Sequence, residues 1–326
     1  MLTDYLTNIA DAIREKEGST TTIPALDYPA RIRALSGGSG LWRKLNNPAA
    51  LPPNTGNGAA LTVYDNTLYC AVAHNVAPFL TTYRMVSGLW QRINNPAALP
   101  PGNGRGIALS VHDNTLYCAV AHTATPYLTT YRMVAGLWQR INNPAALPPG
   151  NAYGVALAVY DNTLYCAVAH GTTPFLTTYR MVSGLWQKID NPATPPSNTA
   201  AGVALVVYDN TLYCAVAHTA TPYLTTYRMV AGLWQRINNP ATLPPSAANG
   251  VALTVYNNAL HLVAAPGTTP FFTPYILEGE GWRRLADPDA PPTGTGTGVA
   301  CCVHNDTLYC AVAHNTTPFI TTYSDK

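Results

Sequence analysis

Charge is what this chain has least of. Only 10% of its 326 residues are Asp, Glu, Lys or Arg, and of these 34 (18 basic plus 16 acidic) nine fall in the first 40 positions. The rest is close to uncharged. A net charge of +2 supplies no electrostatic footprint for nucleic acid or an anionic membrane surface. No apolar run approaches the ~18 residues of a spanning helix, so membrane insertion is not expected. The N-terminus carries Asp4 and Asp11 and lacks the basic start and apolar centre of a secretion signal.

Against these absences stands a repeat. The six tryptophans, Trp42, Trp90, Trp138, Trp186, Trp234 and Trp282, are spaced 48 residues apart without an insertion or deletion. Each is followed at fixed offsets by a Pro (Pro48 in the first copy), a Gly (Gly58), a Leu (Leu68) and a Tyr (Tyr83). A fixed period of ~40 to 50 residues in an all-β pattern is the signature of a β-propeller, with one four-stranded blade per repeat. The expected fold is all-β: a six-bladed propeller over residues 41–326, preceded by a helical attachment segment and Gly/Ser linker over 1–40.

Four strands fit within one copy. Strand a runs Gly106 to His112, and an Asp113-Asn114 turn leads to strand b, Leu116 to His122. Strand c is Pro126 to Val134, and strand d, Leu137 to Ile141, carries the indole. The repeat begins at Leu41-Trp42 with a strand d and ends at Tyr323 with a strand c. The segment 41–46 is therefore expected to complete the last blade and close the ring.

Seven cysteines do not make a disulfide framework. Cys70, Cys118, Cys166, Cys214 and Cys310 share one repeat position, so the propeller geometry holds them apart as small buried hydrophobes. Cys301 and Cys310 differ, because an Asn305-Asp306 hairpin turn places them directly opposite each other, close enough for a cross-strand disulfide to form.

The opening 40 residues read differently. Leu2, Leu6, Ile9, Ala10 and Ile13 recur at helical spacing, Gly18 ends that helix, and Pro24 to Leu35 offers a second short helix before the linker Ser36 to Gly40. The run Leu6-Thr7, Ala10-Asp11-Ala12-Ile13-Arg14-Glu15-Lys16, Gly18, then Ile23-Pro24-Ala25 and Tyr28-Pro29-Ala30-Arg31-Ile32, resembles a segment of tail and tail-fibre proteins from phages and prophages of Gram-positive bacteria. That resemblance implies a virion or phage-like particle, made in the host cytoplasm, with residues 1–40 docking other tail proteins and the chain forming a homo-oligomer. The repeats themselves resemble kelch repeats in the order Trp, Pro, Gly-led strand, Leu-Tyr. They depart from kelch in carrying Cys70-Ala71 where a diglycine would stand, so this likeness is architectural.

Comparing the six copies with one another locates the variation. It concentrates before strand a and after strand b, two connections that emerge on one face, whereas the a-to-b turns on the other face hardly change. The decorated face offers Asn103, Arg105, Asn151 and Tyr153 as ligand contacts on a rigid frame. His74, His122, His170, His218 and His314 end strand b beside them. These imidazoles either donate to ligand hydroxyls or bond neighbouring loop carbonyls. The Trp and Tyr columns serve either as sugar-stacking platforms or as packing between blades. Asp65, Asp113, Asp161 and Asp209 vary together with Arg84, Arg132, Arg180 and Arg228, which predicts ion pairs between them.

No copy carries a nucleophile beside a base, a glycine loop before a helix, or two carboxylates placed as acid and base. Neither an enzyme nor a cofactor is expected, and symmetry holds the histidines too far apart for a metal. The expected function is lectin-like binding of a bacterial surface glycan. The alternative is a structural docking piece of the tail.

Overall fold

The computed structural model describes residues 48–54, 56–288, 292, 294–304, 306–315 and 320–325. The expected helices, the linker and the closing strand 41–46 lie outside these residues. What remains is all strand and turn, laid out as blade 1, β1–β4 (Gly56–Tyr64, Thr67–His74, Leu80–Val86, Leu89–Arg92), and blade 2, β5–β8 (Gly104–His112, Thr115–His122, Leu128–Val134, Leu137–Arg140). Blade 3 is β9–β12 (Ala152–Tyr160, Thr163–His170, Leu176–Val182, Leu185–Lys188) and blade 4 is β13–β16 (Ala200–Tyr208, Thr211–His218, Leu224–Val230, Leu233–Arg236). Blade 5 is β17–β20 (Ala248–Tyr256, Ala259–Pro266, Thr273–Glu278, Gly281–Arg284), and blade 6 contributes β21–β23 (Gly296–His304, Thr307–His314, Ile320–Ser324). Each sheet is antiparallel with its strands in chain order. This is a six-bladed β-propeller.

Turn chemistry sets each hairpin. Asp113 and Asn114 sit at φ 44° and 50°, and Ala135 and Gly136 at 48° and 78°. Two consecutive left-handed residues make a type I′ turn, whose twist matches the flanking strands. In blade 6 the expected register holds, with Cys301 opposite Cys310, both free thiols.

Period-2 alternation then gives each blade a forward and a backward face. Between blades 1 and 2, Ala71, Ala73, Leu80 and Ile93 meet Cys118, Tyr131, Met133 and Trp138 in one buried cluster. The same set recurs between blades 2 and 3, 3 and 4, and 4 and 5. Four indoles are tied to the blade before them: Trp138 Nε1 donates to Thr82 Oγ1 at 2.9 Å, and Trp186 to Thr130, Trp234 to Thr178 and Trp282 to Thr226 at 2.8–2.9 Å. The Tyr column is buried with its hydroxyls donating to backbone, as from Tyr131 to the Ala98 carbonyl at 2.9 Å. The aromatic columns in these blades are therefore packing between blades, since no face of either ring type is open to a sugar.

The innermost strands β1, β5, β9, β13, β17 and β21 pack against one another in sequence. Glycine is required where they touch: a Cβ on Gly106 would stand 2.9 Å from the Gly154 Cα, and one on Gly250 2.9 Å from the Gly298 Cα. Among the described residues, blade 1 and blade 6 do not repeat this contact. Nothing lies within 4 Å of a Cβ built on Gly298, while Leu61 and Val63 on the back of β1 are 63% and 61% exposed.

Candidate functional site

Every innermost strand is interrupted near its start by a one-residue shift in register, between Gly56 and Gly58, Gly104 and Gly106, Ala152 and Gly154, and so on through blade 6. The bulged residue has no ladder partner, and a bulge re-aims its side chain out of the sheet. In chain order the bulged residues are Asn57, Arg105, Tyr153, Ala201, Asn249 and Thr297. This one position, next to the axial glycine, carries a different neighbour at every step around the molecule.

The bulges converge. Asn57, Arg105, Tyr153, Ala201 and Thr297, with Thr199, line a single cavity of about 400 Å³. Side chains from five blades can meet only on the axis, at the mouth of the decorated face. Arg105 is the one charged residue of this lining, and its guanidinium carbon stands 6.0 Å from the centre of the Tyr153 ring. The ring lies over Gly171, where a Cβ would be 3.1 Å from Tyr153 Cε2. Asn57 Nδ2 donates to the Gly104 carbonyl at 2.7 Å, and Asn249 Nδ2 to the Gly296 carbonyl at 2.8 Å, so both amides bridge adjacent blades.

The two variable connections are tied together as the sequence implies. Thr123 N–H donates to the Asn103 carbonyl at 3.2 Å and Gly171 N–H to the Asn151 carbonyl at 3.1 Å. Both asparagine side chains remain exposed beside the cavity. Of the expected contacts, then, Arg105 and Tyr153 come together, and Asn103 and Asn151 stand on the adjoining rim. Asn57, Ala201 and Thr297 were not singled out by sequence, although their shared repeat offset was there to be read.

The histidines are placed differently. His74, His122, His170 and His218 are fully buried, and Nε2 of each lies 2.8–2.9 Å from the hydroxyl seven residues on: Thr81, Thr129, Thr177 and Thr225. His74 Nδ1 is 2.7 Å from the Val76 carbonyl; a nitrogen facing a carbonyl must carry the proton, which leaves Nε2 to accept from Thr81. Burial is the main cause holding His122, His170 and His218 down to about 4, aided by the cations Arg140, Lys188 and Arg236 and opposed by loop carbonyls. These imidazoles brace the b-to-c connection from beneath and do not reach a ligand on the face, which corrects the expectation that they contact one. The side chain of His314 lies outside the described residues. Blade 5 confirms the pairing by its loss: Pro266 replaces the histidine, and the Thr273 hydroxyl is left buried without a partner.

The expected Asp to Arg pairs are also absent among the described residues. Arg84 stands opposite Tyr69, four residues past Asp65. At ~3.3 Å per residue that is roughly 13 Å along the strand. Among the described residues no group of three or more His, Cys, Asp or Glu side chains is arranged to hold a metal.

No family model matches the sequence, and no curated protein matches it. Solved structures do. A triple arginine-to-alanine variant of AofleA from Arthrobotrys oligospora superposes with a TM-score of 0.54 at 9% identity, covering 82% of each chain. The structure of YjhT gives 0.52 at 10% identity over 83% of this chain and 98% of its own. An asparagine-to-glutamine variant of Aleuria aurantia lectin, in complex with α-methyl-L-fucoside, gives 0.52 at 9% identity over 82% and 90%. What is shared is the propeller. At these identities the likeness carries the fold and leaves the ligand to the chemistry of the site itself.

Proposed function

We propose that this chain is a non-enzymatic, lectin-like propeller that binds a bacterial surface glycan at the axial mouth of its decorated face. The observation that carries this reading is the ring of bulged residues, in which one repeat position is diversified from copy to copy while the frame beneath it is constant. A half-buried tyrosine face suits the apolar side of a sugar ring. An adjacent guanidinium supplies a planar fork of donors for hydroxyl oxygens. The fold it shares with Aleuria aurantia lectin, a fucoside-bound protein, supports the same ligand class.

Residues 1–40, by their resemblance to phage tail segments, would anchor this module as a homo-oligomer on a tail or phage-like particle. Deleting them should abolish co-purification with a tail protein and leave glycan binding intact. Arg105→Ala and Tyr153→Ala should each weaken binding on a host cell-wall glycan array at least tenfold without moving the melting temperature. A folded chain that binds no saccharide on that array would overturn the reading and favour a docking role.

A further inference from the structure

A second kind of site lies between blades at the outer rim, away from the axial cavity. Between blades 1 and 2 a groove of about 170 Å³ is lined by Tyr69, Arg84 and Arg92 of one blade and by Met133, Gly136 and Leu137 of the next. Arg92 is held by Asn95 Oδ1 at 3.2 Å. Arg84 makes no ion pair or hydrogen bond among the described residues, although its neighbour across the strands is the phenol of Tyr69. Leu137, 54% exposed, forms an apolar wall beside the two guanidinium groups. An unpaired cation next to open apolar surface, in a chain with so little charge, calls for an account.

The repeat reproduces the arrangement. Tyr117, paired with Arg132, Arg140 and Leu185 hold the equivalent positions in blades 2 and 3; Tyr165, paired with Arg180, Lys188 and Leu233 hold them in blades 3 and 4. Both leucines are as exposed as Leu137, and neither Arg132 nor Arg180 has an anionic partner among the described residues.

The fourth groove shows what such a guanidinium accepts. Blade 5 replaces the turn glycine of the other copies, the equivalent of Gly136, with Glu280. Its carboxylate reaches back to blade 4, Arg228 Nη1 donating to Oε1 at 3.0 Å and Nη2 to Oε2 at 2.9 Å. This is the two-pronged geometry with which arginine recognises planar or tetrahedral anions. The turn changes with it: the other copies have two consecutive left-handed residues, as at Ala135 and Gly136, whereas here only the first, Gly279 at φ 59°, is left-handed. One copy of the guanidinium site is thus filled by the chain's own carboxylate, in a groove where Gly281 takes the place of the leucine; the groove between blades 1 and 2 stands open, and the repeat sets the same residue types between blades 2 and 3 and between blades 3 and 4.

From this we infer that the grooves between blades 1 and 2, 2 and 3, and 3 and 4 each bind an anionic group of an extended ligand, and that Glu280 is an internal occupant closing the fourth. The recognised chemistry is a carboxylate or phosphate on an amphipathic, repeating polymer. Three weak equivalent sites would gain by avidity along such a chain. The inference is independent of the axial site, because no residue is shared between them.

The test is calorimetric titration of the full-length chain with three probes: a uronate oligosaccharide, a polyol-phosphate oligomer with phosphodiester links, and the uronate with its carboxylates reduced to hydroxymethyl. Binding of the first alone identifies a carboxylate source and binding of the second alone a phosphate source, at about three ionic sites per chain and weakening as salt rises. The neutral probe should bind at least tenfold more weakly. Glu280→Ala should raise the count from three to four. Arg84→Gln, Arg132→Gln and Arg180→Gln combined should remove all three sites, with melting temperature unchanged because these arginines hold no partner. Arg105→Ala should not alter the count, which keeps failure here separate from failure at the axis. Equal binding of the neutral probe, no binding of either anionic probe, survival of binding in the triple variant, or an unchanged count after Glu280→Ala would each overturn the inference.

Discussion

At the scale of single residues, the buried imidazoles have a consequence that can be measured. In the folded chain His122, His170 and His218 stay neutral until about pH 4, whereas in the unfolded chain they titrate near 6.5. Above 6.5 both states are neutral and these groups contribute no pH dependence. As pH falls below it, the unfolded chain takes up protons that the folded chain refuses, so stability drops until the folded pKa is reached and then levels off. Each group contributes on the order of 1 kcal/mol per pH unit in that window, and three together rival the whole stability of an ordinary domain. Urea midpoints followed by tryptophan fluorescence should therefore fall steeply from pH 6.5 to 4; a flat profile would show that the imidazoles are hydrated. Sequence placed these histidines correctly at the end of strand b. It missed that the following connection folds back over them, where the backbone N–H of His122 is held by the Tyr127 carbonyl at 3.0 Å. Burial of this kind depends on the path of the loop, which residue spacing does not encode.

At the scale of elements, far more was legible. The 48-residue period, four strands per copy and the Asp-Asn turns follow from spacing and turn chemistry alone, because both act within a few residues. Reading failed where side-chain register mattered: one strand pairing, Tyr69 against Arg84, moves the arginine away from the turn aspartate and into the groove. The indole column tests how blades hold one another. Trp138 is buried and donates to Thr82, while Trp90, in the first blade, is half-buried and makes no indole hydrogen bond among the described residues. Trp138→Phe removes a buried bond and some packing, and should cost about 1–3 kcal/mol. Trp90→Phe should cost less than half as much. Equal losses in denaturant midpoint would mean that Trp90 is covered in solution by a partner the described residues do not include.

At the scale of the whole molecule, the ends of the repeat leave a seam between blade 6 and blade 1. Five successive interfaces bring axial glycines together, and the sixth, from blade 6 to blade 1, is not of this kind among the described residues. The faces that would form it are Gly298, Ala300 and Cys302 on one side and Ala59, Leu61 and Val63 on the other. Alanine at the glycines discriminates directly. In Gly106→Ala the new methyl meets backbone at 2.9–3.2 Å, where nothing flexible can yield, so a cost of at least about 2 kcal/mol is expected. In Gly298→Ala it meets open space, and because alanine restricts the unfolded chain the change should be neutral or slightly stabilising. Melting curves of the two variants decide the matter. If Gly298→Ala loses as much as Gly106→Ala, blade 1 closes onto blade 6 in solution and the axial cavity is bounded on all sides; if it does not, the same cavity opens laterally, and a glycan chain can enter through the seam without threading an end.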